Sequence, residues 1–326
     1  MKICVFGAGA IGGLIAGALA QSGNQVSVVA RGAHLDAIVR NGLEVRTDRG
    51  NWKVRIQASS RGEDLGVQDV VIVGVKTCSL ADALPALAPL IGPQTTVVPA
   101  MNGVPWWFFS GFGGRLEGTR LDNLDPGGRI AAALPERQIL GCVVYPTAHL
   151  PAPGVVQHTG RWELHLGEPD GSLSARGQAL QALLSDAGFS CSLTPDIRRE
   201  IWMKLIGNAA FNPVSALTRA TLDRMLDDPG IYALLETLMN ETIAVGRALG
   251  MAIEENPRAR LERGRPLGKV KFSMLQDLEL GRPMEHESLS GAVAAIGDLI
   301  GVPTPNMHGV HALIRALATS LAGDAR

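Results

Sequence analysis

Lys204, Asn208 and Asn212 recur every four residues in the stretch DIRREIWMKLIGNAAFNPVSALT. On a helix they line one side, drifting about 40° per step. Asp196 can cap the start, and Ile201, Leu205 and Ala209 form an adjacent apolar stripe. A lysine and two asparagines beside a buried face are costly unless polar partners meet them. A wet cleft holding a carboxylate substrate would supply such partners. The same spacing equally fits Lys204 pairing with Glu200 one turn earlier while the asparagines cap the helix end at Pro213. A second polar stretch, FSMLQDLELGRPMEHESLSGA, places Ser273 before an amphipathic turn and Glu285 near the start of a further helix. By itself, that glutamate reads as a first-turn residue complementing a helix dipole.

A third chemical signature lies at the start of the sequence. Lys2 to Phe6 is a β-rich run, and Gly7-Ala8-Gly9-Ala10-Ile11-Gly12 follows at once. Ile11 to Gln21 predicts a helix, Ser22 to Asn24 a turn, and Gln25 to Val29 a second strand. Strand, G-x-G-x-x-G, helix, strand is the context of a dinucleotide-binding turn. Gly7 permits the tight turn, Gly9 lets the backbone approach a pyrophosphate, and Gly12 lets helix and strand pack closely. The helix N-terminus adds unpaired N–H groups and a positive dipole end. The same stretch imitates a secretion signal, with Lys2, an apolar run and Ala18-Leu19-Ala20. Cleavage there would discard the first strand, so the cradle is the expected reading.

After the second strand the chain reads Ala30-Arg31-Gly32, without the carboxylate that bonds the ribose 2′-hydroxyl of NAD. Arg31 can clamp a 2′-phosphate bidentately, so NADP(H) is the expected cofactor. Asp69–Val75, Thr95–Val98 and Ile139–Tyr145 predict further strands. Lys76 and Asn102-Gly103 fall just past two strand ends, where open parallel sheets bind ligands. Trp106-Trp107-Phe108-Phe109 precedes a Gly-rich insertion over 111–128, and either walls a pocket or anchors that insertion. Pro153-Gly154 leads into an expected hairpin of Val155–His158 with Trp162–Leu166. A helix over Ser174–Ala187 and a strand over Phe189–Leu193 follow.

From Pro195 onward helical periodicity dominates. Asp228-Pro229 opens one helix with an apolar face at Leu234, Leu238, Ile243 and Val245, and Gly250 ends it. The expected architecture is α/β: an N-terminal Rossmann-like dinucleotide-binding domain over 1–194, followed by an all-α C-terminal domain over 195–326. The chain has 326 residues and a net charge of −1, with no global basic field for nucleic acid. The basic run from Arg258 to Lys271 reads as a solvated loop around Gly264, Pro266 and Gly268. Cys4, Cys78, Cys142 and Cys191 form no C-x-x-C and read as reduced thiols, with Cys4 and Cys142 in apolar runs. No run is solid enough to span a membrane. His308-x-x-His311 and the set His149, His158 and His165 lack companion ligands at metal spacing, so no metal site is expected. His286, beside Glu285, either tunes a site or lies at the surface.

Together these segments resemble the ketopantoate reductase family. The resemblance is carried by GAGAIG at 7–12, Arg31, Lys76, Asn102-Gly103, PGVVQH at 153–158, REIWMKLIGNAAFNP at 199–213, SMLQD at 273–277 and Glu285. It spans both predicted domains in order. It implies an NADP-dependent oxidoreductase acting on a CH–OH group, with Lys204 and Glu285 catalytic and Asn102, Asn208, Asn212 and Ser273 binding substrate. Gly7, Ala8, Gly9, Ala10, Ile11, Gly12, Arg31, Lys76 and Asn102 would contact the cofactor. The implied reaction reduces 2-dehydropantoate to pantoate in pantothenate biosynthesis, in the cytoplasm, within a cleft closed by the two domains. The lysine would protonate the ketone oxygen as hydride reaches its carbon. The partners expected are a small 2-keto acid and, as an assembly, a second copy in a homodimer; neither nucleic acid nor membrane is expected. The chain departs from the family at Met284, usually threonine, at Ser290-Gly291, usually Asn-Gly, and in the aromatic run and insertion. Two alternatives therefore stand: a related reductase of a bulkier 2-keto acid, and a non-catalytic NADPH-binding sensor.

Overall fold

Twelve strands follow one another in the first 200 residues. They are β1 (Ile3–Phe6), β2 (Val26–Val29), β3 (Leu43–Thr47), β4 (Gly50–Val54), β5 (Gln57–Ser59), β6 (Val70–Val73), β7 (Thr96–Pro99), β8 (Gly141–Val144), β9 (Thr147–Ala152), β10 (Val155–Thr159), β11 (Glu163–Gly167) and β12 (Ser190–Leu193). The computed structural model describes residues 1–324. β5-β2-β1-β6-β7 form one sheet, and every pairing in it is parallel. β1, β2, β6 and β7 are buried along their whole length, as continuous apolar runs in a parallel sheet require. The helices α1 (Ala10–Gln21), α2 (Gly32–Asn41) and α3 (Thr77–Leu87) each follow a strand end. This is the doubly wound pattern expected for a dinucleotide-binding domain.

The expected hairpin of Val155–His158 with Trp162–Leu166 does not form. Pro153-Gly154 instead closes β9 onto β10 as an antiparallel hairpin, with Gly154 at φ +77° supplying the left-handed turn conformation. The other edge of β10 pairs in parallel with β3. Both edges being taken, β11 pairs with β8 and β12 in a separate sheet. Two further helices, α4 (Arg129–Ala133) and α5 (Ala175–Asp186), lie along this part of the chain.

The remaining helices are α6 (Ile197–Thr218), α7 (Leu222–Asp227), α8 (Pro229–Ala248), α9 (Pro257–Gly264), α10 (Ser273–Glu279), α11 (Ala292–Ile300) and α12 (Pro305–Asp324). Asp228 caps α8 by accepting from the Ile231 N–H at 2.9 Å. Its buried face runs through Leu235 and Leu238 to Ile243 and Val245, whereas Leu234 is only half-buried. Trp202 of α6 is fully buried and donates to the Thr242 carbonyl at 2.9 Å. A Cβ on Gly246 would lie 2.3 Å from Trp202 Nε1, so glycine makes room for the indole. The run read as a solvated loop is helical over Pro257–Gly264, started by Asn256 accepting from the Ala259 N–H at 3.0 Å. Its charges are matched locally: Arg258 by Glu236, Arg260 and Arg263 by Glu255, Arg265 by Glu262.

The chain divides into two compact units. The first holds Met1–Met101, Pro105–Arg120 and Gly127–Arg198; the second holds Asn102–Val104, Leu121–Pro126 and Arg199–Arg326. In the first unit Trp106, Trp107, Phe108 and Phe109 are all buried. Phe108 and Phe109 meet edge to face at 5.2 Å. Arg198 donates to the carbonyls of Phe108, Pro169 and Ser110, and Glu117 accepts from the Gly111 and Gly113 N–H groups. The aromatic run therefore anchors the insertion. Cys4 and Cys142 are buried, Cys78 is exposed, and among the described residues no disulfide joins the cysteines. Burial pushes the Cys4 thiol up to about 11. Among the described residues no helix is long and apolar enough to cross a membrane.

Candidate active site

In the first unit the backbone turns sharply between β1 and α1. Gly7 sits at φ +95°, and a Cβ there would lie 2.7 Å from Val75 Cγ1 and 2.9 Å from Val75 N. The Gly7 and Ala8 N–H groups donate to the Val29 carbonyl at 3.0 and 3.1 Å, tying the turn to the end of β2. A Cβ on Gly12 would stand 2.1 Å from the Gly7 carbonyl oxygen. One on Gly9 would meet nothing within 4 Å, so open space lies beside that backbone. Ala10 and Ile11 form the first turn of α1, whose N-cap Gly9 brings no side-chain cap. The uncapped N–H groups at this helix end can receive an anion.

A cavity of about 220 Å³ opens beside this turn, walled by Phe6, Gly7–Gly9, Val29–Arg31, His34, Val75 and Leu150. The fit to a dinucleotide is direct: a glycine turn, a helix N-terminus and a guanidinium share one cavity wall. Arg31 is exposed and is the N-cap residue of α2. Ala10, Ile11, Gly12 and Lys76 are not part of the wall. Lys76 stands one residue past Val75, as the N-cap residue of α3. Sequence reasoning missed His34, three residues after Arg31 on α2. Its Nδ1 accepts from the Gly154 N–H at 3.0 Å. Burial lowers its pKa, against an opposing contribution from the Ala8 backbone.

The second unit assembles the polar residues of α6. Lys204 Nζ donates to Asn102 Oδ1 at 2.6 Å, across 102 positions of sequence. Asn102 is placed by Gly103, at φ +82°, where a Cβ would stand 2.3 Å from the Ser288 carbonyl oxygen. The next N–H, of Val104, donates to that same oxygen at 2.8 Å. Glu200 pairs with Arg199 at 3.2 Å. The asparagines do not end the helix at Pro213, because α6 runs through that proline to Thr218.

Asn212, only 2% exposed, has Oδ1 accepting from Ser273 Oγ at 3.0 Å and from the Met274 N–H at 3.1 Å. Its Nδ2 donates to the Asn208 carbonyl at 3.2 Å. It thereby caps α10 from another helix, since Phe272, the N-cap residue, offers no side-chain bond. Asn212→Ala is expected to lower the unfolding free energy by about 1–3 kcal/mol, because it strands the buried Met274 N–H. Urea denaturation checks this, and unchanged stability in the alanine variant would refute the capping role. Glu285 is half-buried and lies just before a π-turn over Glu287–Gly291 that runs into α11. Its carbonyl accepts from Ser288 Oγ at 3.3 Å. An amine held by an amide oxygen, in a unit that also carries the Ser273 hydroxyl and the Glu285 carboxylate, can protonate and orient a carbonyl compound.

Residues 3–107 match the family model described as ketopantoate reductase PanE/ApbA, and residues 196–318 match its C-terminal counterpart. A Mesorhizobium japonicum protein named 2-dehydropantoate 2-reductase is 46% identical over 319 residues, covering 98% of each chain. A crystal structure of a candidate ketopantoate reductase from Ralstonia solanacearum superposes with a TM-score of 0.93 at 44% identity, covering 98% of each chain. A PanE/ApbA family ketopantoate reductase from Ralstonia eutropha gives 0.84 at 28% identity, over 99% of this chain and 100% of that one.

Proposed function

The chain belongs to the ketopantoate reductase family, and from that premise we propose that it reduces 2-dehydropantoate to pantoate with NADPH. It is an oxidoreductase acting on a small keto acid with a nicotinamide cofactor; the named substrate and the phosphorylated form of the cofactor are the finer steps proposed. The observation that carries the reading is the bond from Lys204 Nζ to Asn102 Oδ1. It holds an ammonium in a fixed direction on a half-buried helix face.

Bound nicotinamide supplies the hydride that adds to the ketone carbon. As negative charge builds on the ketone oxygen, Lys204 gives it a proton, and Asn102 keeps the ammonium aimed. Ser273 Oγ donates to Asn212 Oδ1, which fixes the hydroxyl at which Ser273 meets the substrate. Asn212 thus acts as the positioning residue for Ser273, and Asn208, one turn before it, binds substrate. Glu285 accepts from the single hydroxyl of 2-dehydropantoate and supports the lysine. The first unit carries the dinucleotide: the Gly7–Gly12 turn takes the pyrophosphate, with Lys76 beside it, and Arg31 takes the 2′-phosphate. Cytoplasmic residence fits an exposed Cys78 that needs a reducing compartment to stay a thiol.

Purified protein, NADPH and 2-dehydropantoate should give steady loss of the reduced-nicotinamide absorbance. Turnover only with a bulkier 2-keto acid would move the substrate assignment. Tight NADPH binding with no turnover on any 2-keto acid would leave a sensor. NADPH should outperform NADH, and Arg31→Ala should raise the KM for NADPH about 10- to 100-fold, the loss of a bidentate charged contact. The KM for NADH should hardly move. An unaltered NADPH preference in that variant would exclude Arg31 as the phosphate clamp.

A further inference from the structure

His286, Glu287 and His311 come together on the second unit although the sequence spacing gives no hint of it. Each offers a ligand atom, and the three atoms lie within 4.8 Å of one another. Glu287 stands between the two imidazoles: Oε1 is 3.4 Å from His286 Nδ1, and Oε2 is 3.5 Å from His311 Nε2. Tetrahedral zinc, with bonds of about 2.0–2.1 Å to N and O, sets neighbouring ligand atoms about 3.3 Å apart. We propose that His286, Glu287 and His311 form a binding site for a divalent transition-metal ion of the zinc class, two imidazoles and one carboxylate with water completing the shell.

The surroundings prepare these three groups as ligands. Ser290 Oγ donates to the His286 carbonyl at 3.3 Å and lies 3.1 Å from His311 Nδ1. With the serine proton so used, His311 Nδ1–H donates to Ser290 and Nε2 is left as a lone pair. Such an outer-shell bond fixes the tautomer that binds metal. A lone pair 3.5 Å from a carboxylate oxygen calls for a cation between them. His286 Nδ1 is buried and makes no hydrogen bond of good geometry.

Two neighbours keep the site shaped. Asn123 Nδ2 donates to the Glu287 carbonyl at 3.2 Å and to Oε2 at 3.3 Å, bracing the carboxylate. A Cβ on Gly291 would stand 2.8 Å from Glu287 Oε2 and 2.7 Å from His311 Cε1, so glycine holds open the gap between two ligands. The ion would clamp the π-turn whose Ser288 carbonyl fixes Gly103 and Val104, and through them the segment bearing Asn102.

The test uses the full chain stripped of metal by chelator, titrated with Co2+ by its visible absorption and then with Zn2+ in competition. X-ray absorption of the zinc-loaded protein reads the shell. One equivalent should bind, with imidazole and carboxylate scatterers and no sulfur. His311→Ala and Gly291→Ala should each weaken Zn2+ binding at least about 10-fold, the latter with every ligand retained. His308→Ala, at an exposed imidazole 3.1 Å from Asp298, should bind as the unaltered chain does. Absence of saturable binding, sulfur in the shell, or equal affinity in the His311 and Gly291 variants would overturn the site and leave a hydrogen-bonded histidine–glutamate cluster. Should a variant lose its circular dichroism spectrum, the shell read from the unaltered protein decides alone.

Discussion

Lys204→Ala is expected to lower kcat by about 10²–10⁴-fold, the range of a positioned proton donor, with NADPH binding retained. The cofactor cradle and Lys204 belong to separate compact units, so loss of the amine leaves the glycine turn and Arg31 untouched. The amine itself is replaceable neither by shape nor by polarity, because the reaction needs a proton at the moment the oxygen gains charge. Lys204→Gln, which retains length and a donor but no acidic proton, should therefore resemble alanine in kcat. Pre-steady-state turnover together with NADPH fluorescence titration separates the two quantities. Retained turnover in either variant would remove Lys204 from the acid role, and lost NADPH binding would indicate a structural one.

The second large effect lies in the glycine turn. Gly12→Ala pushes a methyl to 2.1 Å from a backbone oxygen that is itself held by the turn. No side chain can swing away, so β1 and α1 must part. The expected cost is about 3 kcal/mol or more, at the upper end of overpacking, with NADPH binding lost. Gly9→Ala is the informative contrast, since its methyl meets nothing within 4 Å. It should leave the denaturation midpoint unchanged and weaken NADPH about tenfold or more, equivalent to about 1.4 kcal/mol, because the methyl takes space the pyrophosphate needs. A stable Gly12→Ala that binds NADPH normally would refute the packing argument. A Gly9→Ala with undiminished affinity would place the phosphates elsewhere.

The contrast between these two glycines also marks what could be read in advance. The cradle is legible because every part of it lies within thirty residues: strand, turn, helix, strand. The fully buried parallel strands are legible because both faces are covered, which leaves continuous apolar runs such as VVIV at 70–73. β4 and β9 are mostly exposed and carry no such run, and they escape notice. So does the pairing of β10, which depends on which edges its neighbours occupy rather than on its own residues. The stripe Lys204, Asn208 and Asn212 is visible as spacing. Its meaning required Asn102 and Ser273, which arrive from 102 and 61 positions away. No local pattern announces a partner at that distance. Leu235 displaces Leu234 on the buried face of α8 by a one-residue rotation, a detail set by packing rather than periodicity. His286, Glu287 and His311 meet only because α12 returns to the π-turn.

The way the second unit is threaded has a consequence for anyone who would dissect or recombine this protein. Six residues at Leu121–Pro126 and three at Asn102–Val104 belong to it, though both segments come from the N-terminal half of the chain. A fragment beginning at Arg199 would contain Lys204 without Asn102, and Glu287 without Asn123. Chimaeras joined at a single crossover near residue 195 would therefore inherit mismatched halves of the same hydrogen bonds. Two short grafts would have to travel with the helical half for the exchange to succeed.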